Sequence, residues 1–550
     1  MGRSKSFVVH GMILGAASII SRIIGLVYRI PLNNILGSEA LSDYANAYNI
    51  YSFMLMLSSL SVPLAVSKMV SAKVAKKEYI SAYKIFKNAL LFAICVGIVF
   101  GLLAFFGASA ITGLLNYGEG ITPALKCLAP ALVVMSVVGV FRGYYQGLGT
   151  MIPTAFSNII EQIANAVVSI VAAVYLIGYG QKLFESGQIG ESMVHSYGAA
   201  GGTLGTVFGA LVALGFLLYT FALYKKRLKK QMKRDYASKD ETRGEILKVL
   251  ILTIIPVIIS TTIYNISTLM DSAIFGNFMN FKGMEVATRK VLYGSYSGYY
   301  VLLQNVPVSL AAALASSTVP AIVKSFALND IKGVKAKAGA AIKLSMLVGI
   351  PCAIGYFALA RPIIMLLFRS CDSVDMVTRM LMLGCASIIF YTLSTVTGSV
   401  LQGISKMRVP VINSAISLAI HVVALCLALR FTDLNIYALV LFDMIFSLII
   451  CILNLNAIRR YINFVPEVKN TFVMPAVAAA IMGFVGFIIY RLLIKVGIFG
   501  NSISCIIAIL VCFVVYAILL LLFKTVSEDE LEGLPGGRKM VSIARRLHLM

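Results

Sequence analysis

The sequence predicts an all-α polytopic membrane protein of about fourteen transmembrane helices, arranged as two parallel six-helix repeats plus two extra C-terminal helices. Three observations lead there: the composition, the length of the apolar runs, and a pattern that recurs in the second half. Of the 550 residues, 59% are hydrophobic and only 13% charged. Soluble domains carry about 25% charged residues, so most of this chain is solvated by lipid.

A helix needs about 20 apolar residues to cross a bilayer. Runs of that length fall at 8–30, 44–67, 85–108, 122–144, 154–178, 198–224, 247–275, 293–323, 339–360, 376–401, 410–430, 434–457, 471–494 and 502–523. They are continuous, whereas barrel strands would alternate over about ten residues. With the N-terminus in the cytoplasm, 34 Lys and Arg fall in inner segments, 10 in outer segments and three within spans (Arg22, Arg29 and Lys126). This positive-inside bias predicts both termini in the cytoplasm. Arg289 and Lys290 are among the residues it assigns to outer segments.

The net charge of +24 does not point to nucleic acid, because the basic residues cluster between apolar runs, where they meet anionic lipid headgroups. Nine scattered cysteines form no C-x-x-C pair and no cluster with histidine, so neither a metal nor a disulfide framework is expected. There is no Walker motif, and no cofactor is expected. The N-terminal run is too long for a signal-peptide core and lacks a small-residue cleavage site, which makes it the first span.

The repeat shows in two matched segments. "SVPLAVSKMVSAKVAKKEYISAYK" from Ser61 parallels "TVPAIVKSFALNDIKGVKAKAGAAIK" from Thr318, with the Val-Pro pairs 257 residues apart. "YQGLGTMIP" from Tyr145 parallels "LQGISKMRVP" from Leu401, with Gln146 and Gln402 256 apart. An even number of spans per repeat makes the repeats parallel, and transporters built this way expose a site between the halves alternately to each side. The expected organisation is an N-lobe over 1–224, a basic cytoplasmic linker over 225–246, a C-lobe over 247–460, the extra helices over 461–523 and a basic cytoplasmic tail over 524–550.

"SIISRIIGLVYRI" holds the polar residues of the first span. Ser18, Arg22, Gly25 and Arg29 are spaced 4, 3 and 4, which places them on one helical face with the arginines about 10 Å apart. Guanidinium is costly in hydrocarbon, so this stripe must face protein or water; Arg29 can also snorkel to the outer surface. Two planar guanidiniums suit an anion, phosphate above all. The other reading is pairing with intramembrane acids, for which Asp43, Glu161, Asp271 and Asp443 are the candidates; an acid released by substrate would carry coupling. Asn46, Asn49 and Gln304 are polar residues that either line the site or join helices. His421 is a candidate proton relay.

"GAASIISRIIGLVYRIPLNNILG" followed by "LSSLSVPLAVSKMVS" resembles the polysaccharide-biosynthesis and stage V sporulation branch of the multidrug/oligosaccharidyl-lipid/polysaccharide exporter superfamily, and within it the MurJ-type lipid II flippases. The resemblance covers essentially the whole chain. It implies a cavity between two lobes with a basic floor for the pyrophosphate of an undecaprenyl-linked saccharide. Arg22, Arg29 (with a one-residue offset) and Asp43 match the family's first-span arginines and the acid opening span 2. It also implies a bacterial cytoplasmic-membrane location, no enzymatic step, a lipid-linked saccharide as partner and, as one energy source, a coupling cation, H+ or Na+. The chain departs from the family where "GYYVLLQNVP" (Gly298–Pro307) lacks the arginine that many relatives carry before the span-8 proline.

Overall fold

A lipid-solvated backbone has no water to bond, so each run must satisfy its own N–H and C=O groups, and helices do this within one segment. A computed structural model describes residues 2–233, 235, 242–497 and 500–526. Among them every regular element is helical. Two compact units emerge, 1–298 and 299–550.

The first unit comprises α1 (Gly2–Val27), α2 (Arg29–Leu55), α3 (Val62–Ala75), α4 (Tyr79–Phe106), α5 (Ala108–Gly113), α6 (Ile121–Gly147), α7 (Ile152–Glu185), α8 (Glu191–Met232), α9 (Arg243–Asn265), α10 (Ser267–Phe281) and α11 (Val286–Ser295). The second comprises α12 (Val301–Ala327), α13 (Ile331–Ala358), α14 (Ala360–Leu367), α15 (Val374–Gly403), α16 (Arg408–Phe431), α17 (Ile436–Ile462), α18 (Met474–Val496) and α19 (Asn501–Leu522). The unit boundary follows packing, whereas the repeat boundary expected at 225–246 follows sequence. Residues 234 and 236–241 of that linker, and the expected tail from 527 onward, lie outside the described residues.

Among the described residues, twelve helices are long and apolar enough to cross a membrane. The expected runs 8–30 and 247–275 are not among the twelve: the first appears as the shorter apolar helix Ala16–Val27, and the second is divided between α9 and α10 at Ile266. The count of fourteen therefore stays an expectation. The second expected span is longer than the apolar run suggested: a π-helical turn, Met56–Leu60, joins α2 to α3, giving one helical stretch over Arg29–Ala75.

Local signals set several boundaries. Gly37 sits at φ +69°, a left-handed conformation that only glycine adopts without strain, and breaks α2. Thr242 and Glu245 form a reciprocal capping box at the start of α9. Asp330 accepts from the Gly333 N–H at 2.8 Å to open α13. Close approach decides the α7–α8 packing: Gly201, Gly205 and Gly209 recur every fourth residue, and a methyl group on any of them would collide with the α7 backbone. Ser169 crosses the same seam, donating to the Gly202 carbonyl at 2.8 Å. An apolar core over Val62–Ile258, with Phe86, Phe141 and Tyr144 at its centre, fills the first unit.

Candidate functional site

In the first unit, the polar residues of α2 line up along one seam against α11. Asp43 is fully buried, and the buried Lys290 ammonium lies 2.9 Å from its Oδ2. Ser196 on α8 donates to the same oxygen at 3.4 Å. The Gly120 backbone presses on this group so closely that a Cβ there would collide with the Asp43 carboxylate and the Lys290 ammonium. Asn33 donates to the Gly298 carbonyl at 2.5 Å, Asn49 to the Tyr293 hydroxyl at 3.1 Å, and Ser295 to the Ser38 hydroxyl at 3.4 Å. Asn46 completes the α2 set, accepting from Ser272 on α10 and donating weakly to Ser42. A buried charge without an opposite charge is expensive, so Asp43 and Lys290 hold each other in place.

The arginine stripe divides. Ser18 bonds back to the Leu14 carbonyl at 2.9 Å. Gly25 lies against Gln162 on α7. Arg22 is exposed and has no ion-pair partner among the described residues. Arg29 is half-buried over the Tyr48 ring at 5.8 Å, beside Tyr28 and Tyr44, and its Nε has no partner. Among the described residues neither arginine pairs with an acid. Glu161 accepts from Arg142 at 2.6 Å, and the same arginine donates to Ser157 at 3.0 Å. Asp271 is buried on α10.

In the second unit Asp443 is buried in a network of neutral donors. Gln304 on α12 donates to its Oδ2 at 2.8 Å and to Ser387 on α15 at 2.7 Å. Tyr391 donates to Oδ1, and Tyr300 joins at the Ser387 hydroxyl, 3.3 Å away. Gln304 is thus the hub of a network that joins α12, α15 and α17. His421 is buried with Nδ1 3.0 Å from the Phe442 carbonyl, which fixes Nδ1 as the protonated nitrogen.

Three basic residues that the sequence placed in loops are corrected. Arg289 and Lys290, assigned to an outer segment, are 3% and 4% exposed. Helix α11 begins at Val286, seven residues before the expected start of the eighth span, because charged residues interrupt an apolar run without ending a helix. Arg289 bonds the Gly276 carbonyl at 3.2 Å, and its Nε is unpartnered. Arg142, counted with the inner loops, is half-buried on α6, where it reaches α7.

The profile of the polysaccharide biosynthesis protein family matches residues 9–326, more than half of the chain. The chain belongs to that family. A second profile, MatE, matches residues 298–427. Stage V sporulation protein B of Bacillus subtilis is 22% identical over 96% of this chain and 98% of its own length. Lipid II flippase MurJ of Bacillus subtilis is 26% identical, covering 75% of each chain. Among solved structures, an inward-facing multidrug resistance MATE family transporter of the MOP superfamily aligns with a TM-score of 0.64 at 14% identity, over 80% of this chain and 94% of that one. Lipid II flippase MurJ in an inward closed conformation aligns with a TM-score of 0.61 at 15% identity, over 93% and 98%. This member of the polysaccharide biosynthesis protein family is a multi-pass membrane protein with the MurJ/MATE fold.

Proposed function

We propose that the protein is a flippase for an undecaprenyl-pyrophosphate-linked saccharide, lipid II first, carrying it across the bacterial cytoplasmic membrane for peptidoglycan synthesis. The observation that carries this reading is Arg22, an exposed guanidinium on an apolar helix with no acid beside it among the described residues. An arginine at mid-membrane costs about 2.5–3.5 kcal/mol or more, so it needs water or an anion. A pyrophosphate supplies the anion, and bidentate bonding to planar guanidiniums supplies the fit. Arg29, one face along, adds a second cation held by tyrosine rings. The name of one Bacillus relative, lipid II flippase MurJ, points the same way.

In this reading both termini are cytoplasmic, and the energy comes from a cation gradient (H+ or Na+), the membrane potential or downstream consumption of the product. A drug/cation antiporter would need an acid facing its cargo; Asp43 and Glu161 are paired with Lys290 and Arg142, and Asp443 accepts hydrogen bonds from Gln304 and Tyr391.

The test is lipid II accessibility on the outer face of cells that depend on this protein alone for flipping. Wild type exposes lipid II, and an Arg22→Ala variant expressed to the same level does not, with stability changed by less than about 0.5 kcal/mol because the side chain is exposed. Wild type exposing none would make lipid II the wrong cargo.

A further inference from the structure

In the second unit, α13, α14, α15 and α18 enclose an apolar groove of about 710 Å³. That lies within the roughly 300–1,000 Å³ range of small-ligand pockets. Its walls are Phe357, Met382, Gly483 and Phe484, and two arginines, Arg361 and Arg491, stand at its edge. Gly483 opens it: α18 approaches α13 so closely there that a Cβ would meet the Ile354 side chain at 2.9 Å.

The two arginines differ. Arg361 is bonded to Asp375 at 2.6 Å, an exposed pair at the start of α14. Arg491 lies over the Phe487 ring at 4.9 Å and has no acid partner among the described residues. The edge therefore carries a net positive charge beside an aromatic apolar trough. Tyr490 and Asn501 brace this edge, the tyrosine hydroxyl donating to Asn501 at 2.8 Å and Asn501 donating to the Pro362 carbonyl at 3.3 Å. In the orientation the charge bias predicts, both arginines lie on the outer side, where basic residues are disfavoured and so call for a local reason.

From this we infer that the groove is a binding site for an anionic glycerophospholipid of the outer leaflet. One acyl chain lies along Phe357, Met382 and Phe484. The headgroup phosphate accepts hydrogen bonds from Arg491 and, when Asp375 releases it, from Arg361. The occupant is a bilayer lipid, whose acyl chain and single phosphate match the apolar trough and the acid-free Arg491 beside it; undecaprenyl phosphate is the competitor in the test. The inference is independent of the cargo, and its test does not use flipping.

Full-length protein, delipidated in detergent, is titrated with dioleoyl phosphatidylglycerol or dioleoyl phosphatidylcholine, and bound lipid is counted by native mass spectrometry. Wild type prefers phosphatidylglycerol. Arg491→Gln lowers phosphatidylglycerol occupancy about fivefold without changing phosphatidylcholine, the effect of roughly one surface cation. Asp375→Asn, which frees Arg361, raises phosphatidylglycerol occupancy. Ala480→Trp, which fills the groove, lowers occupancy by both lipids while thermal unfolding reports an intact fold. Equal binding of the two lipids by wild type, a preference that survives Arg491→Gln, or displacement of phosphatidylglycerol by equimolar undecaprenyl phosphate each overturns the inference.

Discussion

Asp43 and Asp443 are both buried aspartates on membrane helices, and the two units accommodate them differently. In the first unit a lysine ammonium faces Asp43 at 2.9 Å, with one weak serine bond beside it and Oδ1 left unpartnered. In the second unit Gln304 and Tyr391 surround Asp443 with neutral donors. The first arrangement rests on a single charge pair, so removing one partner leaves the other stranded. The second is distributed, so each donor removed leaves others in place. A charge pair across two helices is suited to separating as a unit when the helices part; a hydrogen-bonded network is suited to holding helices together.

The largest effect should come from Lys290→Met, which strands a buried carboxylate at a cost of about 3–5 kcal/mol. Thermal unfolding followed with a thiol-reactive dye reads it, using the nine native cysteines. Asp43→Asn in the same chain should recover most of the loss; no recovery would mean that the lysine acts through packing rather than charge. Next is Gln304→Leu, which removes two donors from the Asp443 network at about 1–3 kcal/mol. A loss as large as that of Lys290→Met would erase the contrast between the aspartates. Ser196→Ala should cost less than about 1 kcal/mol, since its bond to Asp43 is long at 3.4 Å.

The smallest effect concerns an exposed carboxylate. Glu245 accepts from the Thr242 N–H, which holds its carboxyl below the usual range. Its stabilisation of the α9 start is therefore present above the unfolded-state pKa and is lost as pH falls through the lower folded-state value. Amide exchange in the first turn of α9 should quicken across that acid window, and Glu245→Gln, which leaves nothing to titrate there, should abolish the pH dependence.

The helical architecture was legible because apolar runs near 20 residues leave little choice in a bilayer. Glu161 and Asp443 were legible as acids inside such runs and Asp43 as the acid opening one, and so was the arginine stripe. Their partners were less so. Lys290 sits at the start of α11, where hydropathy sees only a charged interruption, and nothing local announces a partner 247 residues away. Tyr391 reads as an ordinary membrane tyrosine until Asp443 lies beside its hydroxyl. Asn46, Asn49 and Gln304 were ambiguous for a related reason: residue type fixes the ability to hydrogen-bond, but only packing says whether the partner is another helix or a substrate.

Gly120 has a consequence for descent. Its hydrogen-only side chain is the clearance that lets a loop lie against the Asp43–Lys290 pair. The three positions should therefore change together among related chains. A lineage that replaces the lysine with a shorter residue is released from keeping the glycine, and a lineage that gains a side chain at 120 must first have given up the pair.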